Sequence, residues 1–123
     1  MRIVISNETG VPIYEQIKEQ IKISVLSGDL PENELLPSIR QLARDLKVSV
    51  ITTTRAYNDL ELEGFIHSVP GKGCYINKID HERMRFQYVK EVKATLAAAT
   101  RQGKMAGLTM AELHTLLDET EGM

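Results

Sequence analysis

Two serines, Ser38 and Ser49, each stand directly before a short run of helical periodicity, with no room between the runs for more than a tight turn. Ser38 occupies an N-cap position with Gln41 three residues on, the spacing of a capping box in which the hydroxyl takes a backbone N–H and the glutamine reaches back. Ile39, Leu42, Ala43 and Leu46 then form one apolar stripe, and Lys47-Val48 makes the turn. Ser49 caps the second run. Its inner side carries Thr53, Ala56, Tyr57 and Leu60, and its other side Val50, Thr52 and Arg55. Two helices joined this closely form a helix-turn-helix, whose second helix fits a DNA major groove.

The flanking chain supports that unit. Residues 1–11 hold a short extended stretch, Arg2 to Ile5, and a turn at Asn7 to Gly10, with little function expected. Pro12 opens a helix, where its missing N–H is harmless. Ile13, Tyr14, Ile17, Ile21 and Val25 share a face that covers the core, and Gly28 ends the helix. After Tyr57 the second run turns acidic, through Asp59, Glu61 and Glu63, so that end should point away from phosphate. Gly64 supplies a left-handed stop. Phe65–Val69 and Cys74–Ile76 are strand candidates joined by Pro70-Gly71-Lys72-Gly73, whose glycines allow a backbone to approach a phosphate closely. Beyond Lys78 the spacing predicts a helix to about Arg101, a turn over 102–107, and a last helix opened by a Thr109/Glu112 capping box with a Leu108/Leu113 staple.

The segments LPSIRQLARDLKVS, TRAYNDLELEGFI and VPGKGCYI closely resemble, in order, the winged helix-turn-helix domain of GntR-type bacterial transcription regulators, over about residues 10–78. VSVITTTRAY, with only a short chain after it, is most similar to the YtrA subfamily. The resemblance implies a mainly α fold with a small β-wing: a winged helix-turn-helix domain over 1–78, then a two-helix C-terminal dimerisation arm over 79–123. It further implies a sequence-specific DNA-binding repressor acting as a homodimer on a near-palindromic operator, with recognition helices about 34 Å apart, and control of an ABC-transporter operon. The LPSxR motif gives Arg40 a phosphate or base contact beside Ser38. Thr52 falls at a position that meets DNA, its methyl suited to a thymine methyl. Ser49, Val50, Thr54 and Arg55 complete the helical contacts, and Gly71 and Lys72 those of the wing. Where the family usually has glycine near 33 and arginine at 50, this chain has Asn33 and Val50. Asparagine tolerates a left-handed turn. Valine removes a charged contact, so readout rests partly on methyl contacts and DNA shape.

Charge tempers this reading. The formal net charge is −2, whereas bulk electrostatic binding to DNA calls for a basic domain. The cations Arg40, Arg44, Arg55 and Lys72 must therefore gather on one surface, away from Glu112, Asp118, Glu119 and Glu121. In the arm, Met84, Tyr88, Val92 and Leu96 form one stripe and Leu113, Leu116 and Leu117 another; two amphipathic helices bury too little alone, which points to a second copy of the chain. The 40-odd residues there are too few for a pocketed effector domain, so an unidentified small-molecule effector would have to bind at the dimer interface or against the winged helix. Cys74, the one cysteine, excludes an internal disulfide. His67, His81 and His114 lack metal-ligand spacing, no cofactor is implied, and no nucleophile–base set or phosphate loop appears, so an enzyme is not expected. No apolar run approaches a membrane span, which together with the lack of a leader implies a cytoplasmic protein. The competing reading is a winged-helix protein-interaction module without sequence-specific DNA binding, using Val50 and Ile51 as an apolar surface.

Overall fold

In the computed structural model, residues 1–121 are described. They form two compact units, Met1–Ile79 and a second beginning at Asp80. The first contains α1 (Ile13–Leu26), α2 (Ile39–Leu46), α3 (Val50–Leu62), β1 (Ile66–Val69) and β2 (Gly73–Ile76); the second contains α4 (His81–Met105) and α5 (Met110–Thr120). Among the described residues no helix is long and apolar enough to cross a membrane.

The core of the first unit is the sum of the apolar stripes. Ile17, Ile21 and Val25 of α1 meet Ala56, Tyr57 and Leu60 of α3, and Leu42 and Ala43 of α2 close the layer. Thr53 is fully buried in that core, and its hydroxyl donates to the Ile39 and Val50 carbonyls at 3.0 and 3.1 Å. Tyr57 donates to the Pro37 carbonyl at 2.7 Å. These bonds fix α3 against the start of α2. Burial first, and Cys74 second, push the Tyr57 phenol above its ordinary range, so it remains a donor.

The helix boundaries follow local chemistry. Lys47 adopts the left-handed conformation (φ 57°, ψ 46°) and Val48 N–H donates back to Ala43, closing α2 within the turn. Gly64 does the same for α3 (φ 85°), with Phe65 N–H reaching the Leu60 carbonyl at 2.9 Å and its ring buried. The strands pair antiparallel in the register Ile66 with Ile76 and Val69 with Gly73. Residues 33–36 lie along the other edge of β2, through Asn33 N–H to Ile76 O and Leu36 N–H to Cys74 O. Asn33 there takes φ 69°, the left-handed conformation expected of it.

Two sequence expectations need correction. The Ser38 hydroxyl does accept from Gln41 N–H at 3.0 Å, but Gln41 does not reach back: its amide bonds Asp45 and Arg44, so the capping box is half made. Residues 102–105 are not a turn but the end of α4. Gly103 is buried in that helix because Leu113 of α5 lies on it; a Cβ there would meet Leu113 at 2.9 Å. The N-terminal stretch is anchored to α1. Gln20 exchanges two hydrogen bonds with the Val4 backbone, and Gln16 two with that of Ser6, tying the segment to α1. The Thr109/Glu112 capping box on α5 is complete.

Candidate nucleic-acid interface

The second helix of the pair, α3, begins at Val50 with Ser49 as its cap, the Ser49 hydroxyl accepting from Thr52 N–H at 3.1 Å. The Ser49 and Thr52 hydroxyls are also hydrogen-bonded to each other at 2.9 Å. The first turn therefore presents small hydroxyls and branched apolar groups: Val50 is 45% exposed and Ile51 81%. An isoleucine this bare at a helix tip has no packing role within its own unit.

Around that tip the sequence-predicted residues fall into two groups. Arg40 and Val50 line one shallow concavity together with Arg44 and Lys47. Val50, Thr54 and Arg55 line a second with Ile51, Asn58 and Asp59. Ser38, capping α2, stands beside Arg40 at the start of that helix. Among the described residues, Arg40, Arg44, Lys47 and Arg55 make no ion pair with a carboxylate. Gly71 and Lys72 lie apart from both groups, in the wing. Val69-Pro70-Gly71-Lys72 is a tight turn with Gly71 at φ 76° and Lys72 N–H donating to Val69 O at 2.9 Å. Proline second and a left-handed glycine third mark it as type II.

Most of the acid of α3 is paired away from the tip; Asp59 reaches Lys18 while also bordering the Arg55 concavity. Glu63 binds Lys18 at 3.1 Å and also pairs with Lys22, and Lys18 reaches Glu15 and Asp59 at 3.4 and 3.7 Å. Partial burial by itself would raise the Glu63 carboxyl; bonds from Lys22 and Lys18 outweigh it and hold the group below the usual carboxylate range. For Lys18, burial opposes the charge but Glu63 and Glu15 raise the ammonium above its usual value. Glu61 accepts from the Ser68 N–H at 2.9 Å and so braces β1. Two lysines are thus consumed at the far end of α3, and the unpaired cations of the helix-turn-helix remain near its beginning. This sorting resolves the conflict between a net charge of −2 and a DNA-binding reading.

Two contributors escaped the sequence reading. Lys47 was legible only as a turn residue; its place in the cationic concavity comes from the chain reversal. Tyr14 was assigned to the core, yet the Arg55 guanidinium stacks 3.8 Å over its ring centroid.

In the second unit, Leu96, Leu113, Leu116 and Leu117 come together with Ala99 and Gly103 around an open apolar groove of about 580 Å³. Met84, Tyr88 and Val92 lie earlier on α4 and outside that groove, and Val92 is exposed. Cys74 is a half-buried free thiol in β2, 3.5 Å from the Ser68 hydroxyl.

A capped helix pair, a two-stranded wing and unpaired cations about the tip of the second helix define a winged-helix DNA-binding protein. Residues 13–76 match the gntR family of bacterial regulatory proteins, and the chain belongs to that family. It is 32% identical over 117 residues to the HTH-type transcriptional repressor YtrA of Bacillus subtilis (strain 168), covering 95% of this chain and 90% of that one. It is similar to a crystal structure of a transcriptional antiterminator from Listeria monocytogenes EGD-e, with TM-score 0.73 and 32% identity, over 97% of this chain and 89% of the other. A further likeness, with TM-score 0.52 and 28% identity over 62% of this chain and 93% of the other, is to AraR(DBD) in complex with operator ORE1. The chain is a DNA-binding transcription regulator.

Proposed function

We propose that the chain is a cytoplasmic repressor that binds a near-palindromic operator as a homodimer, with residues 1–78 reading DNA and residues 79–123 joining the two copies. The observation that carries this reading is the uncharged, exposed tip of α3 set beside four unpaired cations. Arg40, Arg44 and Lys47 grip phosphates on one side of the groove, Arg55 on the other, and Gly71 and Lys72 approach the backbone from the wing. Ser49 contacts phosphate while capping α3. Thr52 and Thr54 bond base edges or phosphates, and Val50 meets thymine methyls. With so few charges per head, one copy binds weakly, and pairing doubles the contacts. The apolar groove of the arm supports pairing through Leu96, Leu113, Leu116 and Leu117, with Met84, Tyr88 and Val92 extending the contact along α4. The likeness to YtrA supports a repressor; an ABC-transporter operon is the target that YtrA-type regulators lead one to expect. An effector, where one acts, binds at the interface between the two copies or against the winged helix.

Selection of bound fragments from the source genome, followed by sedimentation of the complex, tests the whole reading. The expected result is one palindromic motif upstream of a transporter operon, occupied by two copies. A motif without two-fold symmetry, bound by one copy at full affinity, would overturn the dimer. A protein-interaction module would show binding to its partner that is insensitive to salt, and no preferred DNA.

A further inference from the structure

We infer that Tyr14 is a positioning residue for DNA binding: its ring, on the first turn of α1, holds the Arg55 guanidinium of α3 in the orientation that meets a backbone phosphate. The inference rests on the reading of Arg55 as a phosphate contact. Its geometric basis is the 3.8 Å separation between the guanidinium carbon and the ring centroid. Arg55 is exposed and has no carboxylate partner among the described residues. Asp59, one turn further along α3, is drawn to Lys18 instead. The ring is therefore what restrains this flexible side chain. A guanidinium held over a ring, rather than by a carboxylate, keeps N–H donors available for a phosphate. An ion pair to a neighbouring acid would have consumed the same donors and cancelled the charge.

The platform is itself fixed. Tyr14 is half-buried on a helix whose next residues, Ile17 and Ile21, are fully buried. Gln16 bonds the backbone of Ser6 and Val11, which ties the chain ahead of α1 to the same turn. The Tyr14 hydroxyl makes no hydrogen bond among the described residues, so the ring face is the functional part. Removing the hydroxyl should be harmless and removing the ring should not.

The test is a double-mutant cycle on the full chain, measured as affinity for a labelled mixed-sequence duplex of about 30 base pairs across a salt series. Arg55→Ala should weaken binding and flatten the salt slope by about one unit per head. Tyr14→Leu should weaken binding about fivefold, and Tyr14→Phe should stay within about twofold of the parent. In the Arg55→Ala background Tyr14→Leu should have almost no further effect. Tm is recorded for each protein, and Tyr14→Met carries the cycle if the leucine variant is poorly folded. If Arg55→Ala changes neither affinity nor slope, the phosphate reading of Arg55 fails and the inference with it. If Arg55→Ala acts as expected but Tyr14→Leu costs the same in both backgrounds, only the positioning role of Tyr14 is overturned. A loss in Tyr14→Phe would show that the hydroxyl touches DNA directly, which also overturns it.

Discussion

Tyr57→Phe isolates one oxygen atom. The ring is buried against α1 and α2, and phenylalanine fills the same space, so packing is kept. What goes is the 2.7 Å bond to the Pro37 carbonyl, the tie between the middle of α3 and the start of α2. A neutral hydrogen bond contributes about 1 kcal/mol net, and a buried acceptor left without a donor raises the loss to roughly 3 kcal/mol. Pro37 is only half-buried, so water reaches its carbonyl in part, and the expected loss is about 1.5 kcal/mol. In a unit of this size that corresponds to a fall in Tm of roughly 6–12 °C. Urea unfolding followed by far-ultraviolet circular dichroism should give a lower midpoint with an unchanged m-value. The loss should be flat from neutral pH to about pH 9 and shrink above about pH 10, where the phenol of the unfolded chain ionises while burial keeps the folded one protonated. A change below about 0.3 kcal/mol would refute the claim that this bond fixes the helix pair. So would a changed m-value, which would place the effect in the unfolded chain instead.

Other predictions concern binding and acid stability. Arg40→Ala should weaken binding to every duplex alike and flatten the salt slope by about one unit per head, read by fluorescence anisotropy. Thr52→Ala should reduce preference for the selected operator over random DNA by roughly 1–3 kcal/mol if it reads a base; equal losses on both would assign it to phosphate alone. The Glu63 carboxyl is held below its usual value near 4.5, so its contribution is present above that pH and vanishes as pH falls through the folded value. The stability gap between the parent and Glu63→Gln should therefore close on acidification below about pH 4.5, as urea midpoints taken across pH will show. A gap that persisted would mean the Lys18–Lys22 clasp is not what Glu63 contributes.

What could be read from the chain alone was whatever neighbouring residues decide. The caps at Ser38, Ser49 and Thr109, the left-handed Asn33 and Gly64, and the buried face Thr53-Ala56-Tyr57-Leu60 each follow from side chains within a turn of one another. The structure departs where a distant partner outvotes local preference. Gly103 reads as a breaker, yet it stays helical because its missing side chain lets Leu113 approach. Gln41 has the spacing of a capping partner, but Asp45 and Arg44 compete for its amide on the same exposed face. Gln16 and Gln20 look like solvated polar positions, and nothing in their spacing shows that the N-terminal segment will lie across them. The surface of the candidate interface behaves likewise. An ordered motif singles out Arg40 and Thr52 as candidates, whereas the contact of Arg55 with Tyr14 joins positions 41 residues apart.

Lys47 bends the chain backwards with a conformation that disfavours any side chain, by roughly 1 kcal/mol relative to glycine. The same side chain borders the cationic hollow beside Arg40. Folding and gripping thus make opposite demands on a single position. Lys47→Gly should yield a hardier protein with a looser hold on the duplex, so a screen for thermal resistance alone would steadily select away the molecule's purpose.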